Sequence, residues 1–235
     1  MLGDSIIVLT VNLVVEWISM KVHRGNFQSN ITFLKKSHFF NDTSQRVLEI
    51  GSGNGTMCFV LKKLGYSVIG TEVNQDYIKR AKDLFAVDLV SVSEEQLPFE
   101  TASFDAVVSF DVFEHIPDSK KHLSEVYRVL KPGGRYFFTT PNKYLNVPFE
   151  IIKERSITKW KTYHCSVKSL LEVSWLCRSV GFQVAFCSVP AVNEFFKTKL
   201  RTYIGNWSLA VLKFINPDKF PLFLRTNLYV VARKS

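Results

Sequence analysis

Three glycines and an acid in this chain have the spacing of a nucleotide-binding turn. Gly51, Gly53 and Gly55 follow an apolar run that ends at Ile50, and Glu72 stands 21 positions after Gly51. Glycines permit a tight turn and let the backbone come close to a ligand. An acid at the end of the following strand can accept hydrogen bonds from both hydroxyls of a ribose. The spacing therefore predicts a binding site for a ribose-containing ligand.

Two departures from the dinucleotide pattern indicate a ligand without phosphates. The dinucleotide fingerprint has a third small residue where this chain has Thr56, and the third glycine comes one place early, at Gly55. Glu49, two residues before Gly51, would repel a pyrophosphate and attract a cationic amino-acid group. Both departures favour S-adenosylmethionine as the ligand.

The segment 46–140 resembles the class I S-adenosylmethionine-dependent methyltransferases, in the branch that acts on small molecules, lipids and glycans. Five blocks in the family's order carry the resemblance: 49–55, Glu72, 97–99 with 104–108, 112–118 and 130–134. Five blocks in order are far more specific than one glycine motif. The resemblance implies cofactor contacts from Glu49, Gly51, Ser52, Gly53, Gly55, Glu72, Val73, Ser93, Glu94, Glu95, Asp111 and Val112.

The adenine end departs from the family's usual pattern. Relatives commonly have an aspartate five residues before the proline of the third block, whereas this chain has Ser93 there, followed by Glu94 and Glu95. A serine hydroxyl or a main-chain carbonyl can also accept a hydrogen bond from the adenine amino group. The sequence leaves open which of the three positions does so.

A small polar cluster follows the fourth predicted strand. Asp111, Glu114 and His115 lie at i, i+3 and i+4, so they share a face if a helical turn begins there. His115 could be a general base, or all three could bind a divalent metal, as the E-x-x-E-H pattern of ubiquinone-biosynthesis O-methyltransferases suggests. Glu114 and His115 could also have a purely structural role, capping the turn or packing against it. A metal is possible but not expected, and His164 is a second candidate base or a surface histidine beside a helix.

The implied reaction is direct, in-line transfer of a sulfonium methyl group to an oxygen or carbon of a small-molecule, lipid-linked or glycan acceptor. Such a transfer mainly requires that the reactants be aligned and water excluded. A nucleic-acid (RNA) methyltransferase is the second interpretation: the charge and the aromatic residues allow it, but residues 140–142 lack the Asn-Pro-Pro-Tyr-like motif of base amino methylation. A cofactor-binding homologue without catalysis stays open. A dehydrogenase is disfavoured by Glu49 and the glycine spacing.

The elements that must position these residues alternate along the chain, as a doubly wound α/β sheet requires. Apolar runs predict strands over 47–50, 67–70, 87–92, 106–110, 136–140, 182–189 and 227–232. Helical periodicity predicts helices over 57–64, 75–85, 120–130 and 166–180. With the resemblance, this order predicts a mostly parallel, seven-stranded Rossmann-like sheet with an antiparallel last strand.

We expect one methyltransferase domain over 1–235, comprising an N-terminal cap region (1–45), a cofactor-binding half (46–140) and an acceptor half (141–235). The acceptor half contains an insert, 190–226, that is too long for a plain hairpin loop and is rich in aromatic and basic residues. Residues 1–118 carry 10 Lys+Arg against 15 Asp+Glu, and residues 119–235 carry 20 against 6. The basic half suggests an anionic acceptor or anionic surface, or it merely maintains solubility.

The N-terminus and the cysteines bear on localisation. Residues 5–15 form an uncharged, mostly apolar run that is too short to span a membrane and lacks signal-peptide features. This run could cover the cofactor pocket or lie on a membrane surface. The four cysteines show neither disulfide nor zinc spacing. We therefore expect a cytoplasmic protein, with peripheral contact with a membrane as a possibility. The sequence does not indicate an oligomeric state.

Overall fold

The fold is a single seven-stranded sheet with helices on both faces, in a computed structural model that describes residues 26–93, 96–162, 164–190, 192, 194–214 and 216–235. The strands are β1 (Arg46–Ile50), β2 (Ser67–Glu72), β3 (Leu89–Ser91), β4 (Phe104–Phe110), β5 (Leu130–Pro141), β6 (Phe182–Phe186) and β7 (Asn227–Lys234). Their spatial order is β3-β2-β1-β4-β5-β7-β6, and β7 runs antiparallel to both of its neighbours while the other pairs are parallel. The predicted fold class is confirmed.

The described helices are α1 (Phe27–Lys36), α2 (Thr56–Lys63), α3 (Gln75–Phe85), α4 (Ser119–Val129), α5 (Lys143–Glu154), α6 (Leu170–Val180), α7 (Glu194–Ile204) and α8 (Trp207–Phe214). Helices α1, α2 and α3 contribute to the core on one face of the sheet, and α4 and α6 contribute to the core on the other. Successive strand residues alternate between the two cores: Val47 and Leu48 in β1, and Phe137 and Phe138 in β5, lie on opposite faces. Burial on both faces explains why the buried middle of these strands is mostly apolar.

Several predicted boundaries shift, and one shift has a clear local cause. The helix predicted over 166–180 begins at Leu170, because Ser169 and Glu172 form a capping box: the Ser169 hydroxyl accepts from Glu172 N, and the Glu172 carboxylate accepts from Ser169 N at 2.7 Å. The strand predicted over 182–189 ends at Phe186, and the one predicted over 136–140 extends over Leu130–Pro141. Boundaries are less well specified by sequence than the existence of an element.

The segment predicted as an insert, 190–226, folds largely into α7 and α8. The two helices pack against each other and are separated by Gly205, whose φ of +100° suits glycine. The apolar run at 5–15 lies outside the described residues. No described helix is long and apolar enough to cross a membrane.

Candidate active site

The glycine turn is held in place by the carboxylate of Glu72. Glu72 Oε2 accepts a hydrogen bond from Gly53 N at 2.7 Å, and Oε1 accepts from Val73 N at 2.9 Å and Asn74 N at 3.0 Å. Gly51 has a φ of +68°, and a Cβ there would lie 2.4 Å from a methyl carbon of Val112. Glycine at position 51 is therefore required both by the backbone conformation and by the closeness of Val112.

A cavity of about 530 Å³ opens beside this turn, at the carboxyl ends of β1, β2 and β4. In doubly wound sheets ligands bind at this edge. Seven of the predicted cofactor contacts lie in its wall: Gly51, Gly53, Glu72, Val73, Ser93, Asp111 and Val112. We call it the first cavity. Its size and its mixture of apolar and acidic wall groups fit an adenosyl amino acid.

The other predicted contacts lie elsewhere. Glu49 and Ser52 are buried behind the wall of the first cavity, and the Ser52 hydroxyl lies 3.4 Å from the main-chain oxygen of Glu49. A Cβ at Gly55 would lie 2.9 Å from Ala81, so this glycine lets α2 approach α3 closely. Glu94 and Glu95 lie outside the described residues. A direct contact of Glu49, Ser52 or Gly55 with the cofactor stays a prediction.

Sequence reasoning missed a second group of wall residues. Asn26, Phe27 and Asn30, at and within the start of α1, line the first cavity. Tyr77 also lines it, because Asn74 caps α3 by accepting hydrogen bonds from Asp76 N and Tyr77 N. Tyr77 lies in the first turn of the predicted helix that follows Glu72. Its position near the site could therefore have been predicted from the sequence. The remaining unpredicted wall residues are Ile50, Val92, Gln96, Leu97, Phe110, Ile116, His122 and Glu125, and His115, the candidate base, also lines this cavity.

A second cavity, of about 420 Å³, shares part of its wall with the first. Asn26, Asp111 and His115 line both cavities. The backbone at Asp111 is left-handed, with a φ of +57°, and its Oδ2 accepts a hydrogen bond from Asn26 Nδ2 at 3.0 Å. The chain turns sharply at the end of β4 and fixes an acidic side chain where the two cavities meet.

More of the exposed surface of the second cavity is apolar than polar. It contains three phenylalanines, Phe149, Phe196 and Phe220, together with Leu145, Leu200, Pro141, Pro217 and Tyr229. Its polar groups include Glu114, His115 and His164. Aromatic walls with a few converging polar groups are typical of a site for a small organic molecule.

Glu114, His115 and His164 form a compact cluster beside the junction. One potential ligand atom from each lies within 4.8 Å of the others, and the two imidazole centroids are 5.2 Å apart. His164 reaches this position because Ser166 N donates to the main-chain oxygen of Glu114 at 2.9 Å and Ser166 Oγ lies 2.8 Å from Ser119 Oγ. Tertiary contact therefore joins two segments that are about fifty residues apart in sequence.

Burial changes the acid–base properties of this cluster. Desolvation, followed by the nearby charge of Asp111, raises the pKa of Glu114 to about 8, although Thr140 Oγ1 donates to Glu114 Oε2 at 3.1 Å. Desolvation and then the neighbouring His115 lower the pKa of His164. Near neutral pH, Glu114 is therefore largely protonated. His164 is neutral, and a neutral imidazole can accept a proton or bind a metal.

The metal-ligand set differs from the one considered from sequence. Asp111 is bonded to Asn26 and is not part of the three-residue cluster, whereas His164 is. One carboxylate and two imidazoles are suitable donors for a divalent transition metal, and their present separation would have to shorten on binding. Among the described residues, this cluster is the group that could hold such an ion.

The family described as "Methyltransferase domain" matches residues 48–138, the stretch that contains the glycine turn, Glu72 and the end of β4. Residues 48–138 therefore belong to the class I S-adenosylmethionine-dependent methyltransferases. These methyltransferases are enzymes, and their cofactor is S-adenosylmethionine.

Part of the chain is similar to two proteins named as methyltransferases. It is 30% identical over 139 residues to a Mycolicibacterium smegmatis protein named "Probable S-adenosylmethionine-dependent methyltransferase", which covers 59% of this chain and 52% of that protein. It is 39% identical over 107 residues to the human mitochondrial ubiquinone biosynthesis O-methyltransferase, which covers 42% of this chain and 29% of that protein. The chain therefore spans about half or less of the length of these relatives.

A solved structure shares the fold. The phosphoethanolamine N-methyltransferase 2 of Haemonchus contortus, in complex with S-adenosyl-L-methionine, superposes with a TM-score of 0.59 at 22% identity, covering 88% of this chain and 52% of that one. At this level of identity the likeness concerns the fold.

Proposed function

We propose that this methyltransferase transfers the methyl group of S-adenosylmethionine to a hydroxyl oxygen of a small, largely apolar acceptor bound in the second cavity. The observation that carries the proposal is the common wall of the two cavities, formed by Asn26, Asp111 and His115. A cofactor in the first cavity and an acceptor in the second would meet at this wall. A proton acceptor, His115, stands at the same place.

The residues of the chain would act mainly by positioning. The Glu72 carboxylate fixes the glycine turn and would offer its remaining lone pair, on Oε2, to a ribose hydroxyl. Asp111, held by Asn26, would lie beside the cationic end of the cofactor. Such positioning can contribute much of the rate acceleration in a transfer between two aligned reactants.

His115 would take the proton of the acceptor hydroxyl. The oxygen then forms a bond to the methyl carbon as the bond from sulfur to that carbon breaks, which leaves S-adenosylhomocysteine and a protonated imidazole. S-adenosylmethionine supplies a methyl group that is already activated on a sulfonium, so this proton transfer is the acid–base step required of the protein. His164, adjacent to His115, would orient it or accept the proton in its place.

A divalent metal is a second way to activate the same hydroxyl. Glu114, His115 and His164 would hold the ion, which would supply Lewis acidity to the acceptor oxygen. Extensive treatment with a chelator, followed by addition of Mg²⁺, Mn²⁺ or Zn²⁺, tests this alternative. Transfer that is lost and then restored by a metal would assign the cluster to metal binding. Transfer that withstands chelation would leave His115 as the base.

Oxygen is the favoured acceptor atom for two reasons. Several relatives are named ubiquinone biosynthesis O-methyltransferases, and the second cavity combines an aromatic and apolar wall with the Glu114, His115 and His164 cluster. A phenolic hydroxyl combines an aromatic body with a proton that a histidine can remove. The proposed acceptor class is therefore a phenol or catechol, with or without a lipid tail.

Calorimetric titration with S-adenosylmethionine, S-adenosylhomocysteine and NAD⁺ tests the cofactor, and transfer of a tritiated methyl group to catechol and to an alkyl catechol tests the reaction. We expect binding of the two adenosyl ligands alone and label in the catechol hydroxyl. Label in an RNA probe but in neither catechol would favour the nucleic-acid alternative. Adenosyl binding without transfer to any probe would favour a homologue that has lost catalysis.

A further inference from the structure

We propose that the hairpin formed by α7 and α8 docks on an anionic lipid surface and so brings the second cavity to acceptors dissolved in a membrane. The inference deepens the proposed function and rests on it for the role of the second cavity. It rests independently on an exposed apolar stripe, on the place of the hairpin in the cavity wall and on the surrounding charge.

The outer face of α8 is apolar and exposed. Trp207, Val211 and Phe214 lie at i, i+4 and i+7, so they share one face of the helix, and they are 65%, 38% and 88% exposed. Ser208, on another face, is buried. A surface helix normally exposes polar residues, so these exposed apolar side chains mark a surface that binds something apolar.

The hairpin also forms part of the second cavity. Phe196 and Leu200 of α7 line the cavity, and α8 packs against α7. Tyr203, near the end of α7, makes an edge-on contact with the cavity residue Phe149 at 5.9 Å between ring centroids. The exposed stripe thus belongs to the same small unit that closes the acceptor site.

Basic residues accompany the stripe. Arg201 on α7 and Lys219 beyond α8 are exposed, and Asp218, which precedes Lys219, pairs with Arg225 at 3.6 Å. The second half of the chain has 20 Lys+Arg against 6 Asp+Glu. Exposed aromatic side chains beside cations fit the boundary between anionic headgroups and acyl chains, where rings enter the apolar layer and cations contact the headgroups. The positive charge favours an anionic over a neutral membrane, and the exposed aliphatic and aromatic side chains of the stripe favour insertion between acyl chains.

Flotation of the full chain with lipid vesicles tests the proposal. We expect it to bind vesicles of phosphatidylcholine mixed with phosphatidylglycerol, and to bind pure phosphatidylcholine vesicles much more weakly. Replacing both Trp207 and Phe214 by Ser should weaken binding at least about tenfold, since two large apolar side chains no longer enter the lipid. Trp175→Ser is the matched control, because Trp175 is 66% exposed on α6, away from the hairpin, and should change binding less than about twofold.

The electrostatic part is tested separately. Charge reversal of Arg201 and Lys219 to Glu should weaken binding to the anionic vesicles by at least about tenfold and reduce its dependence on salt, since each cation near an anionic surface contributes about a fivefold factor. Because both side chains are exposed, S-adenosylmethionine binding should be unchanged in every variant, which confirms that each has folded.

Several outcomes would overturn the proposal. The first is equal binding to neutral and anionic vesicles. The second is an equal loss of vesicle binding in Trp175→Ser and in the hairpin variant. The third is an intact protein that does not bind vesicles and instead forms dimers or binds RNA through the stripe. A protein that methylates catechol but does not bind vesicles would contradict the docking surface and leave the proposed function standing. Vesicle binding without adenosyl binding would reject the proposed function and leave the surface assigned.

Discussion

The walls of the two cavities are built in different ways. The first cavity depends on a contiguous βαβ unit, in which the glycine turn and Glu72 are joined by hydrogen bonds to main-chain amides. The second cavity depends on side chains from the end of β4, from α5, from His164 and from α7, which are distant in sequence. Backbone geometry defines the glycine turn of the first site, whereas side chains from segments distant in sequence define the second.

This difference separates the expected effects of substitution. Changes in the first wall should act on cofactor affinity, because they alter a turn that exists to hold one ligand. Changes in the Glu114–His115–His164 cluster should act on transfer and on the pH dependence of stability, because the cluster contains buried titratable groups. Each of the following predictions tests whether the two walls are separable in this way.

The largest effect is expected from His115→Asn. Loss of a general base typically costs about 10²–10⁴-fold in rate, so the turnover number for methyl transfer to catechol should fall at least about a hundredfold. S-adenosylmethionine affinity should change little, as measured by calorimetry. His38→Asn, at an exposed histidine with a φ of +56° that asparagine tolerates, is the matched control and should leave transfer intact. Equal losses of binding and turnover in His115→Asn would show that the two walls are coupled.

Glu72→Ala should weaken S-adenosylmethionine binding by about a hundredfold. It removes the ribose acceptor and leaves the amides of Gly53, Val73 and Asn74 without their carboxylate. Glu72→Gln keeps one acceptor oxygen and should be intermediate, and Glu100→Ala, at an exposed acid, should have no effect in the same titration. At saturating cofactor the turnover number of Glu72→Ala should approach that of the wild type. A turnover number that stays low would contradict a purely cofactor-binding role.

The contrast between the walls also explains what the sequence could predict. The fold class, the glycine turn and Glu72 are visible in sequence because they belong to one short unit with a fixed spacing. His115 and His164 could be proposed singly, but their contact could not, because it depends on the hydrogen bond between Ser166 N and the Glu114 carbonyl. Periodicity and spacing are local, and a contact across fifty residues is not.

The same limit applies to the cavity walls. Asn26 and Phe27 line the first cavity although no motif marks them, because the position of α1 is set by packing of Phe33 and Leu34 in the core. Conversely, Gly55 belongs to the glycine pattern, yet the structure gives it the task of letting α2 approach Ala81. A motif indicates where a site lies but does not distinguish ligand contact from support of the turn.

Glu114 should make the stability of the cofactor-free protein, in the presence of chelator, fall as the pH rises. Burial and Asp111 raise its pKa from 4.5 to about 8, so the native state holds the proton more tightly than the unfolded chain. Its contribution is therefore fully present below about pH 4.5 and is lost as the pH rises toward 8. We expect Glu114→Gln to remove on the order of 2 kcal/mol of the decline in unfolding free energy between about pH 5 and 8, measured by urea titration. Identical slopes in the two proteins would show that this carboxyl is not desolvated.

His122, in the wall of the first cavity, should give the opposite and smaller dependence. Burial lowers its pKa from 6.5 to about 4, and its Nε2 lies 3.1 Å from the hydroxyl oxygen of Tyr136. As the pH falls, the unfolded chain binds a proton at His122 before the native state does. The contribution of His122 to the unfolding free energy is therefore present above about pH 6.5 and is lost as the pH falls toward 4.

Urea titrations of His122→Gln and the wild type isolate this contribution. The variant lacks the titrating group, so its unfolding free energy should decline less steeply, by on the order of 1 kcal/mol, between about pH 6.5 and 4.5. A loss of stability that is the same at every pH would reflect packing against Tyr136 and not proton linkage. If both predictions hold, the unfolding free energy loses the contribution of His122 in acid and the contribution of Glu114 in alkali. The pH of greatest stability would then mark the balance between them.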